Sequence, residues 1–179
     1  MAGLEKIEYF DDRYTKARAA LGGSLPSAEQ ISDIFERWFT ALNTHDTDTL
    51  LTLVTDDIVV EDPSMMGRNS RGHDDFRLFS EITYTAFPDM RFEATTAPLI
   101  ALDGNRIVVP WRGTATFTGY IDRWPPENPA PRVDGTGKQW TLEGTDTYEF
   151  RGGLISWWRI SFDFFDMSQQ VGLLPGGDA

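Results

Sequence analysis

Between residues 90 and 165 the chain alternates apolar and polar side chains over four long segments, roughly 90–102, 105–119, 138–151 and 154–165. A period of two is the signature of strands with one buried face. Asp103-Gly104-Asn105 and Arg151-Gly152-Gly153 read as hairpin turns between them. Strands this long twist and curl, and their apolar face needs a cover. The preceding residues supply it as helices. A helix begins near Ser27, where Ser27-Ala28-Glu29-Gln30 has capping-box spacing, and carries Ile31, Ile34, Phe35, Trp38 and Leu42 on one stripe. A short helix runs through Leu50, Leu51 and Val54. Asp56-Asp57 reads as a turn, 58–62 as a strand closed by Pro63, and 64–71 as an irregular loop. From Gly72-His73-Asp74-Asp75 a further helix places Phe76, Phe79 and Ile82 on one face, and Pro88 ends it. Helices first and an antiparallel meander after them predict an α+β fold, a curved sheet with helices on one face enclosing a pocket.

Residues 27–175 account for that domain. Residues 1–26 read as a helical extension, with Leu4, Ile7, Phe10, Tyr14, Ala17 and Leu21 at helical spacing, and 176–179 as a tail. The segment 122–137, with Pro125, Pro126, Pro129 and Pro131, is expected to be a long rigid loop. Sixteen basic against 28 acidic residues leave a net charge of −12, which disfavours nucleic acid and anionic membranes as partners. No cysteine is present, so thiolate chemistry and disulfides are excluded, and two histidines leave little scope for a metal site. With no apolar signal core, the chain reads as soluble and cytoplasmic, working without a cofactor and as a homodimer.

The strand at 139–151 holds the residue that breaks its own pattern. Trp140, Leu142, Gly144, Tyr148 and Phe150 share a face with Asp146. A carboxyl there is costly to ionise unless paired, so desolvation should raise its pKa. It is either a buried acid satisfied by Arg112 or a backbone N–H, or an acid lining a cavity. Asp62, before Pro63, is either a turn initiator or a second cavity acid. Trp38 packs on its helix stripe, with an indole N–H that needs a partner when buried. Arg112 shares a face with Val108, Thr114 and Thr116, and reads either as a solvated arginine or as a clamp for a carboxylate, on a ligand or on Asp146 or Asp62. Trp158 and Phe162 with Ile160 on the last strand, Tyr148 beside Asp146, and Met65 after Asp62 are the expected substrate contacts. Asp166 reads as the cap of a terminal helix, and Asp163 as a partner of Arg159 or a rim carboxylate.

The stretch RWFTALNTHDTDTLLTLVTDDIVVEDP (37–63) resembles the start of ketosteroid isomerases, and TDTYEF (145–150) their later acid-bearing strand. The tail WWRISFDFFDMSQQVGLLP (157–175) resembles SnoaL-like polyketide cyclases and limonene epoxide hydrolases. All belong to the NTF2-like superfamily of cone folds. The resemblance implies Asp62 as the base that moves a proton between carbons and Asp146 as a protonated acid hydrogen-bonded to the enolate oxygen; buried acids of this kind are known from ketosteroid isomerase itself. The isomerases' oxyanion tyrosine falls on Trp38, which donates but cannot ionise. Arg112 matches the epoxide hydrolase arginine, whereas the two acids of that design fall on Thr114 and Ile160. The implied activity is isomerisation or aldol-type cyclisation of a small apolar carbonyl compound, with a binding module or a hydrolase on the same pocket as alternatives.

Overall fold

Ser27 opens the first helix as the sequence predicts: its hydroxyl accepts from the Gln30 N–H at 3.2 Å, and its own N–H reaches Gln30 Oε1 at 2.9 Å. In the computed structural model, which describes residue 16 and residues 26–101, 106–122 and 131–175, this helix, α1, spans Ala28–Thr44. Of the expected extension only Lys16 and Pro26 fall among the described residues; the turn at 103–105, most of the proline-rich segment and the tail lie outside them. The α1 stripe of Ile31, Ile34, Phe35, Trp38 and Leu42 is buried throughout. A residue in the left-handed region, His45 at φ 58°, closes the helix, and Asp46 caps the short α2 (Thr47–Leu51) by accepting from the Thr49 N–H at 2.9 Å.

Strand β1 (Val54–Glu61) starts earlier than expected. Val54 belongs to it rather than to the helix before, and Asp56-Asp57 is strand, not turn. A register shift between Val54 and Val59 carries the irregularity that the paired aspartates suggested. Residues 64–71 are likewise more ordered than a loop: a 3-10 turn, Pro63–Met65, leads to β2 (Asn69–Arg71), which pairs antiparallel with β1. Helix α3 (Gly72–Ala86) follows, ending before Pro88. The segment expected as one strand over 90–102 is two, β3 (Arg91–Ala94) and β4 (Leu99–Ile100), both laid on β5 (Arg106–Thr116). Pro98, between them, has no N–H for a ladder. Two short strands, β6 (Tyr120–Ile121) and β7 (Val133–Asp134), pair across the ends of the proline-rich segment. Strands β8 (Gln139–Arg151) and β9 (Leu154–Ser161) form the long hairpin, turned by Gly152 and Gly153 at φ 61° and 86°. The last strand stops short of residue 165. Asp163, not Asp166, caps the closing helix α4 (Phe164–Gln170), accepting from the Asp166 N–H at 2.9 Å.

The main sheet runs β2-β1-β9-β8-β5-β3, with β4 also on β5. It is antiparallel except between β1 and β9, which run parallel, so it is not a pure meander. Helix α1 lies on its concave face: Phe35 and Trp38 pack edge-on against Tyr148, and Trp38 against Trp158. Because β9 pairs only with residues 145–151 of β8, the first half of β8 has no strand on that side among the described residues. Helix α4 covers it. The Gln170 side chain accepts from the Thr141 N–H at 2.8 Å and donates to the Thr141 carbonyl at 3.3 Å, as a neighbouring strand would. No helix among the described residues is long and apolar enough to cross a membrane.

Candidate active site

Between the concave sheet face, α3 and α4 lies a cavity of about 310 Å³. Its walls are mostly aromatic and aliphatic, among them Phe76, Phe79, Phe92, Trp140 and Phe164. Two carboxyls, Asp62 and Asp146, open onto it, with Ser64, Ser80, Thr83 and Tyr84 as the other polar side chains. No Lys, Arg or His is among the described lining residues. No cluster of three or more His, Asp or Glu side chains suited to a metal is found among the described residues.

Asp146 sits on the inner face of β8, opposite Val109 of β5 and Ile160 of β9, and is 4% exposed. The Trp111 indole donates to Oδ1 at 2.8 Å, and the Tyr148 hydroxyl donates to Oδ2 at 2.9 Å. The Trp158 indole N–H bears on the same carboxyl without reaching full hydrogen-bond geometry. Burial pushes the Asp146 carboxyl up to about 7; these donors oppose that shift and lose to it, and the nearby Asp62 charge adds to it. Trp111 can reach across because its partner in the ladder is Gly144. A Cβ at Gly144 would stand 2.4 Å from Trp111 Cζ2 and 2.7 Å from the Ser161 carbonyl oxygen.

Asp62 follows the last residue of β1 and plays both parts that the sequence left open. It caps the 3-10 turn, its Oδ1 accepting from the Ser64 N–H at 2.7 Å and from the Ser64 hydroxyl. It also lines the cavity, and its Oδ2 has no hydrogen-bond partner among the described residues. Enclosure raises its pKa, and the two Ser64 bonds pull the other way.

Trp158, Phe162 and Met65 line the cavity as well. Trp38 and Tyr148 do not; both are fully buried one layer behind. Trp38 stacks on Phe76, and its indole N–H faces the Tyr148 hydroxyl, whose own proton goes to Asp146. Arg112 requires correction. It lies exposed on the outer sheet face, bound to Glu143 at 2.7 Å, and clamps neither acid. The alternation along β5 turns Arg112, Thr114 and Thr116 outward together and Trp111 inward. Asp163 is spent on the α4 cap, His73 stands 3.8 Å from Asp56, and His45 stacks on Tyr84 at 4.1 Å. Sequence reasoning missed Trp111. It was visible as a tryptophan on an apolar strand face, but that it meets Gly144, and over it Asp146, is a fact of register.

Residues 35–158 match the SnoaL-like domain. The chain belongs to the SnoaL-like domain family. Among solved structures, a protein proposed to be a SnoaL-like polyketide cyclase from Jannaschia sp. CCS1 superposes with a TM-score of 0.66 at 15% identity, over 82% of this chain and 94% of that one. An NTF2-like protein of unknown function from Burkholderia pseudomallei gives 0.63 at 20%, over 80% and 98%. TerC, crystallised with polyporic acid, gives 0.60 at 16%, over 78% and 95%. At these identities the likeness is one of fold, the NTF2-like cone. No curated protein matches the sequence.

Proposed function

We propose that this SnoaL-like protein removes a proton alpha to the carbonyl of a neutral, largely apolar compound, and that the enolate either takes the proton back at another carbon or attacks a second carbonyl of the same molecule, whose π bond opens and whose oxygen takes the proton up. The outcome is isomerisation or intramolecular aldol cyclisation through an enolate. The observation that carries the reading is that Asp62 and Asp146 line one apolar cavity with no cation among its described lining residues to neutralise either. Asp62 has the geometry of the base: Ser64 holds its Oδ1, and the residue lines the cavity. Asp146 is the hydrogen-bond donor to the enolate oxygen, because burial lets it keep a proton near neutral pH. Trp38 acts through Tyr148 rather than on the ligand. A positioned base supplies about 10²–10⁴-fold, which suffices for an already acidic carbon.

The reading is favoured over a non-catalytic binding module because both carboxyls line the cavity rather than being sealed in the core. A hydrolase that holds its water by an Arg and two acids is disfavoured, since Arg112 points outward and Ile160 occupies an acid position on the cavity wall. The family and its cyclase-like neighbour make polyketides the substrates to try first, with terpenoids and steroids next. The setting proposed is a homodimer in the cytoplasm, acting without a cofactor.

A thermal-shift screen of such carbonyl compounds identifies binders by mass action. With a turned-over binder in hand, Asp62→Asn should lower kcat by about 10²–10⁴ while leaving binding nearly intact. Near wild-type kcat in that variant would reduce Asp62 to a turn residue.

A further inference from the structure

A carboxylic acid can carry its proton on either oxygen, and the two oxygens of Asp146 face different chemistry. Oδ1 receives the Trp111 indole N–H at 2.8 Å, a group that donates and cannot accept. Oδ2 faces the Tyr148 hydroxyl at 2.9 Å, a group that does either by rotating. A proton on Oδ1 would weaken that oxygen as an acceptor for a donor that has no other role to adopt. A proton on Oδ2 costs nothing of the kind, because the phenol turns to accommodate it.

The indole is also held still. Phe92 packs edge-on against it at 5.0 Å and 82°, and Phe162 leans on it at 6.3 Å. The bare backbone of Gly144 leaves the one slot through which Trp111 passes to Asp146. We propose that Trp111 is a positioning residue: laid across Gly144, its N–H makes Oδ1 a permanent acceptor and confines the proton of Asp146 to Oδ2, on the Tyr148 side.

The groups that face Asp146 from the surrounding elements are few. They are Trp38 of α1 through Tyr148, Asp62 after β1, Trp111 of β5, Tyr148 on β8 itself and Trp158 of β9. Arg112 and Glu143 are paired with each other on the opposite face. Of these, Trp111 makes the one indole hydrogen bond of full geometry to the carboxyl, and it is to Oδ1; the Trp158 N–H bears on the carboxyl short of that geometry. The proposal rests on the reading of Asp146 as a proton donor for its catalytic meaning: when a ligand is bound, the Tyr148 hydroxyl turns back to donate to Oδ2 and the acid O–H is released to the enolate oxygen. Its test needs neither ligand nor turnover, so failure of the enolate chemistry would leave it standing.

The test is spectroscopic, on the ligand-free full chain. Trp111→Phe removes one donor to the carboxylate and should raise the Asp146 midpoint, followed by carbon-13 NMR, by about one pH unit. In wild type the Trp111 indole N–H resonance should move with that same midpoint. Gly144→Ala keeps the indole but displaces it, and should raise the midpoint in the same direction. Trp140→Phe, which deletes a cavity indole not bonded to Asp146, should leave it unchanged. Below the midpoint, infrared difference spectra against Asp146→Asn should show the acid C=O stretch at higher frequency in Trp111→Phe than in wild type, since the bond to the carbonyl-type oxygen is gone. A Trp111→Phe midpoint no different from that of Trp140→Phe, or a C=O stretch that does not move, overturns the proposal. So does a Trp111→Phe protein that loses only thermal stability.

Discussion

A proton held mainly by burial leaves a mark on folding. The Asp146 carboxyl titrates near 7 in the folded chain and near its ordinary value of about 4 when unfolded. Below pH ~4 both states are protonated, and its contribution to stability is fully present. As pH rises toward 7 the unfolded chain ionises while the folded one keeps its proton, so the contribution is lost across that window and is gone above it. Urea midpoints measured from pH 4 to 8 should therefore fall for wild type relative to Asp146→Asn, by an amount on the order of a few kcal/mol, with the change confined to that interval. Asp62, raised for the same reason, leaves a residual slope of the same sign in the variant. Asp146→Leu removes the slope too, but strands the Trp111 N–H and the Tyr148 hydroxyl, each a buried donor worth about 1–3 kcal/mol when left unpaired.

Elements differ in how much of themselves the sequence displays. The start of α1 is local, a serine and a glutamine three residues apart, and so it was readable. Ser27→Ala should cost about 1 kcal/mol, measured by chemical denaturation, because the hydroxyl that accepts from the Gln30 N–H is lost while the backbone half of the reciprocal cap remains. The inner faces of β5, β8 and β9 were equally legible, since alternation fixes which side chains share a side. That is how Asp146 could be assigned to the cavity and how Trp111 and Arg112 could be separated, although not which of the two faces was the inner one for arginine. Pairing was not legible. The parallel contact of β1 with β9 joins residues about a hundred positions apart, and it turned Val54 and Asp56-Asp57 from helix end and turn into strand. Asp163 against Asp166 as the α4 cap was a matter of where β9 stops, which the apolar run WWRISFDFF conceals. Trp111 above Gly144 needed the register of two strands before either residue meant anything to the site.

Across the whole molecule, charge is sorted by side of the sheet. Arg106, Arg112 and Arg159 lie on the outer face, paired with Glu149, Glu143 and Glu61, where exposed ion pairs contribute little. The two carboxyls that line the cavity have no such partner among the described residues. A ligand that brings its own negative charge meets them in a medium that screens poorly. A ketone that binds should therefore outbind the free acid of the same skeleton by at least about tenfold at pH 8, compared by calorimetry. Equal affinity would mean that the acids are not what the ligand encounters. The same sheet carries a hazard at its margin. From Gln139 to Gly144, β8 has no strand on its β9 side among the described residues, and a margin of that kind recruits one from another chain unless it is covered. The amide of Gln170 mimics that missing strand with a single side chain. Helix α4 thereby guards solubility as well as walling the cavity, and a protein that loses its grip on Thr141 gains a sticky margin for aggregation before it loses its fold.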